Sequence, residues 1–275
     1  MLQGLKIAVS DVLGFEVLKT LHYDARLLLS CKAVRMFAFG FLAIILVTYL
    51  LEIGISSNDI GIMFGLTLFG DALISLFLTS RADRWGRKKT LLLGSILSII
   101  TSLVFALVNN YWLMTVVAII GVISPTGNEV GPFLAVELSS LAQVTKDEDR
   151  TRILAWHNLF GCFAAAIGAL VCGGIVSSLH NHGGMTYLSS YRVAMIVYAL
   201  TKVILLLITT QLSSDIEVPI ARTEVEIKNV NPISLFFGLH KSKSIVLRLS
   251  GLFMLDAFGS SFVLQSFMSA WFFST

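Results

Sequence analysis

Residues 60–108 read IGIMFGLTLFGDALISLFLTSRADRWGRKKTLLLGSILSIITSLVFALV. Two apolar runs, 60–80 and 90–108, flank a short basic loop, 81–89. About 20 consecutive apolar residues cross a bilayer as a helix. A loop this short joins two such helices only as an antiparallel pair. The stretch therefore predicts an all-α integral membrane fold, and the rest of the chain extends the same pattern.

The 275-residue chain is 56% hydrophobic and 13% charged, against about 25% charged in a soluble domain. Its mean hydropathy is +0.83. Further spans are expected at 33–51, 111–136, 153–178 and 191–211, a seventh at about 245–267, and a short apolar tail follows. Pro125 and Pro132 predict a kink in the fourth span, because proline removes a helix donor and clashes with the preceding turn. Asp11, Glu16 and Lys19 interrupt the leader, so it does not read as a signal peptide. Cys31, Cys162 and Cys172 lack metal or disulfide spacing and read as packing residues. The net charge of +3 carries no aromatic-interleaved basic cluster, so nucleic-acid binding is not expected.

Lys and Arg alternate between loops. They fill the leader, 81–89, the loop at Lys146–Arg152 and the segment 212–244, and they are missing from the links at Glu52–Asp59 and Asn109–Asn110. Basic loops stay on the cytoplasmic side, so the amino terminus is expected there. The predicted organisation is a cytoplasmic leader (1–32), a six-helix bundle (33–211), a cytoplasmic linker (212–244), and a seventh helix with the start of a second bundle (245–275).

The loop Thr79-Ser-Arg-Ala-Asp-Arg-Trp-Gly-Arg-Lys-Lys89 resembles the major facilitator superfamily signature G-x-L-A-D-R-x-G-R-[RK]. Ala82, Asp83, Arg84, Gly86, Arg87 and Lys88 match; Thr79 and Arg81 replace its glycine and leucine. The residues make sense on their own terms. Gly86 can take a left-handed turn cheaply, and the basic groups suit an anionic leaflet. The resemblance implies a conformational latch formed by Asp83, Arg84, Gly86, Arg87 and Lys88, biasing a transporter between outward and inward states. It also implies two six-helix bundles, of which this chain would hold the first. Span five lacks the glycine-proline pair of the antiporter signature, and span four lacks the basic residue that often begins its motif.

Ionisable groups inside the hydrocarbon layer are functional candidates. Asp71 lies mid-span with Thr67, Ser75 and Thr79 along one helix face. Span four holds Asn128 and Glu129 between Pro125 and Pro132, and interrupted helices often line transporter sites. Lys202 lies mid-span six with Asp71 or Glu129 as candidate partners, and Asp256 lies in span seven. These five form the candidate substrate or proton site. Arg35 reads as an interface anchor, and His157 and Asn158 as caps or loop packing. Small residues at Asn158, Gly161, Ala165, Gly168 and Cys172, and at Gly94, Ser98, Thr101 and Ser102, predict close helix contacts.

No P-loop, GxSxG elbow or metal-spaced histidine cluster is present, so no enzyme, cofactor or metal is expected. The reading is secondary transport of a small solute, with Asp71 or Glu129 coupling protons. Because the superfamily has about twelve spans, the chain is expected to be a truncated member lacking its carboxyl-terminal half, or a half-transporter pairing with a second copy. The alternative is a non-transporting membrane protein with a regulatory or partner-binding role.

Overall fold

The computed structural model describes residues 17–18, 20–121, 132–217, 243–260 and 265–274. They form helices α1 (Tyr23–Glu52), α2 (Ser57–Trp85), α3 (Arg87–Leu107), α4 (Tyr111–Ile120), α5 (Pro132–Gln143), α6 (Arg150–Asn181), α7 (Tyr187–Thr210), α8 (Lys243–Ser260) and α9 (Gln265–Ser274). A single 3₁₀ turn, Ser214–Ile216, follows α7. Among the described residues there is no strand, and α1, α2, α3, α6 and α7 are long and apolar enough to cross a membrane. The chain is an all-α multi-pass membrane protein.

Helix starts obey local chemistry. Ser56, Asn110 and Thr186 each accept a hydrogen bond from a backbone N–H three residues on, at 3.2, 3.0 and 3.3 Å. These side chains satisfy donors that the first helical turn leaves open. Pro132 opens α5, where its missing N–H costs nothing. The expected fourth span thus contains α4 and α5; residues 122–131 between them, with the predicted kink at Pro125, lie outside the described residues. The expected seventh span, 245–267, overlaps α8 and the start of α9; residues 261–264 between them lie outside the described residues, and α8 is not among the five helices long and apolar enough to cross. Helix α1 begins ten residues ahead of the expected apolar span, capped by the His22 side chain.

Beyond Arg35 helix α1 is apolar on all sides, and most of its residues are buried, as a central helix should be. It packs most closely on α6. A Cβ added at Gly40 would stand 2.0 Å from the Ala165 carbonyl oxygen, and one at Gly168 would stand 2.1 Å from that of Phe37. Only glycine allows this backbone contact, which realises the small-residue face expected on span five. Gly94 on α3 admits the Phe133 ring, and Thr101 donates to the Val117 carbonyl at 3.1 Å. Tyr49 closes the bundle from α1 to α3, its hydroxyl donating to the Phe105 carbonyl at 2.5 Å.

Two apolar cores result. One surrounds Phe41, Ile45, Tyr49 and Tyr198; the other surrounds Leu28, Leu91, Phe133 and Ile153 at the end carrying Arg87, termed here the basic end. Exposed side chains such as Leu107, Trp112, Phe163 and Leu170 point outward from the bundle. In water such a surface would aggregate; against lipid it needs no cover. Helix α9 lies on α1, where the Ser269 hydroxyl donates to the Ile44 carbonyl at 3.0 Å.

Candidate functional site

The basic loop is a reversal at Gly86, whose φ of +102° ends α2 and starts α3. Non-glycine residues rarely adopt that conformation. Beyond it the first N–H groups of α3 meet a carboxylate from far along the chain. Glu217 accepts from the Arg87 N–H at 2.7 Å and from the Lys88 N–H at 3.1 Å. A negative group at a helix amino end satisfies open donors and opposes the helix dipole. The Arg87 guanidinium, itself buried, donates to the carbonyls of Ser139 and Ile216, each at 3.2 Å. The Lys88 ammonium donates to the Leu212 carbonyl. Gly86, Arg87 and Lys88 therefore gather α3, α5 and the segment after α7 into one knot. Asp83 and Arg84 lie in the last turn of α2, and their side chains fall outside the described residues. Arg81 lies over the Phe77 ring, 4.0 Å from its centroid.

Sequence reasoning missed Glu217 as a partner of this loop. The available signal was weak: two acidic residues, Asp215 and Glu217, lie just beyond span six and ahead of Pro219, and nothing in the sequence singles out the second.

Asp71 on α2 is fully buried. Both of its carboxyl oxygens, and the Ser75 hydroxyl one turn on, have no hydrogen-bond partner among the described residues. Thr67, one turn earlier, spends its hydroxyl on the Met63 carbonyl at 2.8 Å. The expected polar stripe is therefore buried at Thr67 and Asp71 and opens at Thr79, which is exposed. Asn128 and Glu129 lie outside the described residues.

Lys202 is buried on α7, with its ammonium 4.5 Å from the Phe39 ring centroid and 4.9 Å from that of Tyr198. Aromatic faces attract a cation in this way. Asp256 is exposed on α8, beside exposed Phe253 and Leu255. Asp71, Lys202 and Asp256 thus sit on three different helices, and no described contact joins them. A cavity of about 120 Å³ at the end opposite the basic loop is lined by Thr48, Ser177, His180 and Tyr191, and by none of the sequence candidates.

A second ionic cluster was not foreseen. Arg35 on α1, Glu137 on α5 and His157 on α6 are 2%, 0% and 1% exposed. The Arg35 guanidinium pairs with Glu137 Oε2, and His157 Nε2 lies 3.3 Å from the same oxygen. Arg35 is therefore not an interface anchor. His157 is neither cap nor loop residue, since α6 starts at Arg150, two turns before it. Arg35 and His157 lie near the starts of the spans expected at 33–51 and 153–178, where a linear reading gives them no partner.

A family model described as Major Facilitator Superfamily matches residues 28–275. The chain is also 29% identical, over 276 aligned residues, to the Uncharacterized membrane protein YJR124C of Saccharomyces cerevisiae. That match covers 92% of this chain and 61% of the relative, so the chain spans less than two thirds of the relative's length.

Proposed function

The chain belongs to the Major Facilitator Superfamily, and from that premise we propose that it moves a small solute across a membrane by alternating access, with Asp71 carrying the coupling proton. In this reading α1–α7 are the first of two bundles that rock about a midplane site. The loop at Gly86 lies on the cytoplasmic side, as does the amino terminus; the alternation of basic loops supports that orientation. Helices α8 and α9 begin the second bundle.

One observation carries the reading of Asp71. Its carboxyl group is fully buried within an apolar helix and both oxygens lack a partner among the described residues. A carboxylate held there without a counter-charge is costly. A proton removes the charge, and an opening of the bundle toward water restores it. A group whose charge state follows access from one side or the other is what proton coupling requires.

The test is uptake into proteoliposomes holding the full-length protein, under an imposed pH gradient, with sugars, amino acids, organic anions and cationic drugs as separate solutes. Flux of one class that rises with the gradient is expected, and Asp71→Asn should abolish its pH dependence. An unchanged pH profile in that variant removes the assignment of Asp71. No flux of any class from folded protein would favour a regulatory role instead.

A further inference from the structure

The cavity at the end opposite the basic loop has a cause in the packing. Helices α1 and α6 touch backbone to backbone at Gly40 and Gly168. Farther along they part: a Cβ added at Gly173 would meet nothing within 4 Å. The wedge between Ile45 and Thr48 of α1 and Gly173 and Val176 of α6 is closed by Tyr187 and Tyr191 of α7, and it holds about 120 Å³. Its floor is apolar, because Ile45, Val176 and Tyr191 are buried and the Thr48 hydroxyl is spent on the Ile45 carbonyl at 3.0 Å. Water held in such a space needs roughly two to four polar partners, whereas an apolar cavity of about 150 Å³ takes a benzene ring. No Asp, Glu, Lys or Arg lines the space among the described residues, so an ion would be buried there without a counter-charge, at high cost. The space therefore suits a neutral molecule about one six-membered ring in size.

The mouth is polar and already ordered. The His180 ring stacks on that of Tyr187, with centroids 3.8 Å apart and planes at 18°. His180 Nδ1 lies 2.8 Å from the Met185 carbonyl oxygen. A carbonyl only accepts, so Nδ1 carries the hydrogen and Nε2 is left as an acceptor. The Asn181 amide donates to the Ser177 hydroxyl oxygen at 3.1 Å, which leaves Asn181 Oδ1 as a second acceptor. A stack and two hydrogen bonds thus hold these acceptors in place before any ligand arrives, and little ordering remains to be done on binding.

We propose that this cavity is a binding site for a small neutral ring bearing a hydroxyl group, a phenol in chemical class. The ring rests on the apolar floor, where the Tyr191 wall favours an aromatic over a saturated ring. The hydroxyl stands at the mouth and donates to His180 Nε2. Apolar contact supplies most of the attraction, and the single hydrogen bond selects a hydroxylated ring over a bare one. Gly173 keeps the space open, since any larger side chain there would occupy it. The site shares no residue with Asp71 or with the loop at Gly86, so it does not rest on the transport reading.

The experiment is ligand protection of a cysteine placed in the cavity. Full-length protein in lipid nanodiscs carries Gly173→Cys, a change that meets nothing within 4 Å. Exposed Cys162 is replaced by alanine; Cys31 and Cys172 are buried. The rate of reaction with a small methanethiosulfonate is followed with 4-fluorophenol or fluorobenzene present. Both probes should slow labelling, with fluorobenzene needing about tenfold more, the cost of the missing hydrogen bond. His180→Phe keeps a ring over Tyr187 but removes Nε2, and should bring 4-fluorophenol down to the level of fluorobenzene. Gly174→Cys, one residue on and outside the lining, should label at an unchanged rate, which separates binding from partition into the bilayer. No protection at Gly173→Cys, equal potency of the two probes, or the same protection at Gly174→Cys overturns the proposal. Solute uptake on the same samples judges the transport reading independently, since protection and flux can fail separately.

Discussion

Gly168→Ala is the sharpest test of the packing. The new Cβ would meet the Phe37 carbonyl oxygen at 2.1 Å and its carbon at 2.9 Å. Ordinary carbon contacts begin near about 3.5 Å, so α1 and α6 must part by more than about 1 Å. A gap of that order forfeits roughly a quarter to a half of the dispersion attraction across the face. Overpacking costs about 1–3 kcal/mol. The upper end applies here, because the opposing atoms are backbone and cannot rotate away. Five residues on, Gly173→Ala meets nothing within 4 Å and should stabilise the helix by about 0.5–1 kcal/mol. Cys172, on the same face and fully buried, is a natural reporter. In detergent, with Cys162 replaced, a thiol-reactive dye should label Gly168→Ala several degrees below the parent protein and Gly173→Ala at or above it. Equal labelling temperatures for the two variants would refute the close approach of α1 and α6.

Glu217→Ala uncovers two N–H groups of α3 and should cost about 1–2 kcal/mol, read as a lower melting temperature, whereas Glu217→Asp should recover part of it. Gly86→Ala forces a side chain into a left-handed backbone and should lose about 1–2 kcal/mol; an unchanged melting temperature would contradict the +102° turn. Arg35→Ala strands the buried Glu137 carboxylate and should lose about 3–5 kcal/mol, most of it recovered when Glu137→Gln is added. Tyr49→Phe removes the hydroxyl bonded to the Phe105 carbonyl and should cost about 1 kcal/mol, seen as a small uniform loss of thermal stability.

Five of the seven expected spans and the reversal at Gly86 were legible because each rests on local chemistry: about 20 apolar residues, a basic loop, a glycine. The small-residue face of α6 was legible for the same reason, since spacing alone puts Gly161, Gly168 and Cys172 on one side. Partnership was not legible. Glu217 lies 130 residues from the N–H it caps, and Arg35 lies 102 from Glu137. Nothing in a linear reading measures such distances. Hydropathy also misplaced depth. Lys32 was read as part of the leader and Arg35 as an anchor at the start of the first span, yet both are buried. Lys202 stood out in the sequence as a charge inside an apolar run, but its aromatic setting depends on how α1 and α7 face each other.

The capping of α3 by Glu217 has a consequence for synthesis. The two groups are separated by 130 residues, and ribosomes add roughly 5–20 residues per second. Helix α3 therefore emerges roughly 7–26 s before its cap exists. Through that interval its leading N–H groups are left to water and lipid headgroups, and the Arg87 guanidinium, which meets Ser139 once 52 further residues are made, still lacks the Ile216 carbonyl. The α2–α3 hairpin enters the bilayer with an open end, which is fastened only when the chain beyond α7 arrives. A nascent chain stalled before residue 217 holds all its long helices with the head of α3 still uncapped, and that is the stage at which a membrane chaperone or a protease would find a handle.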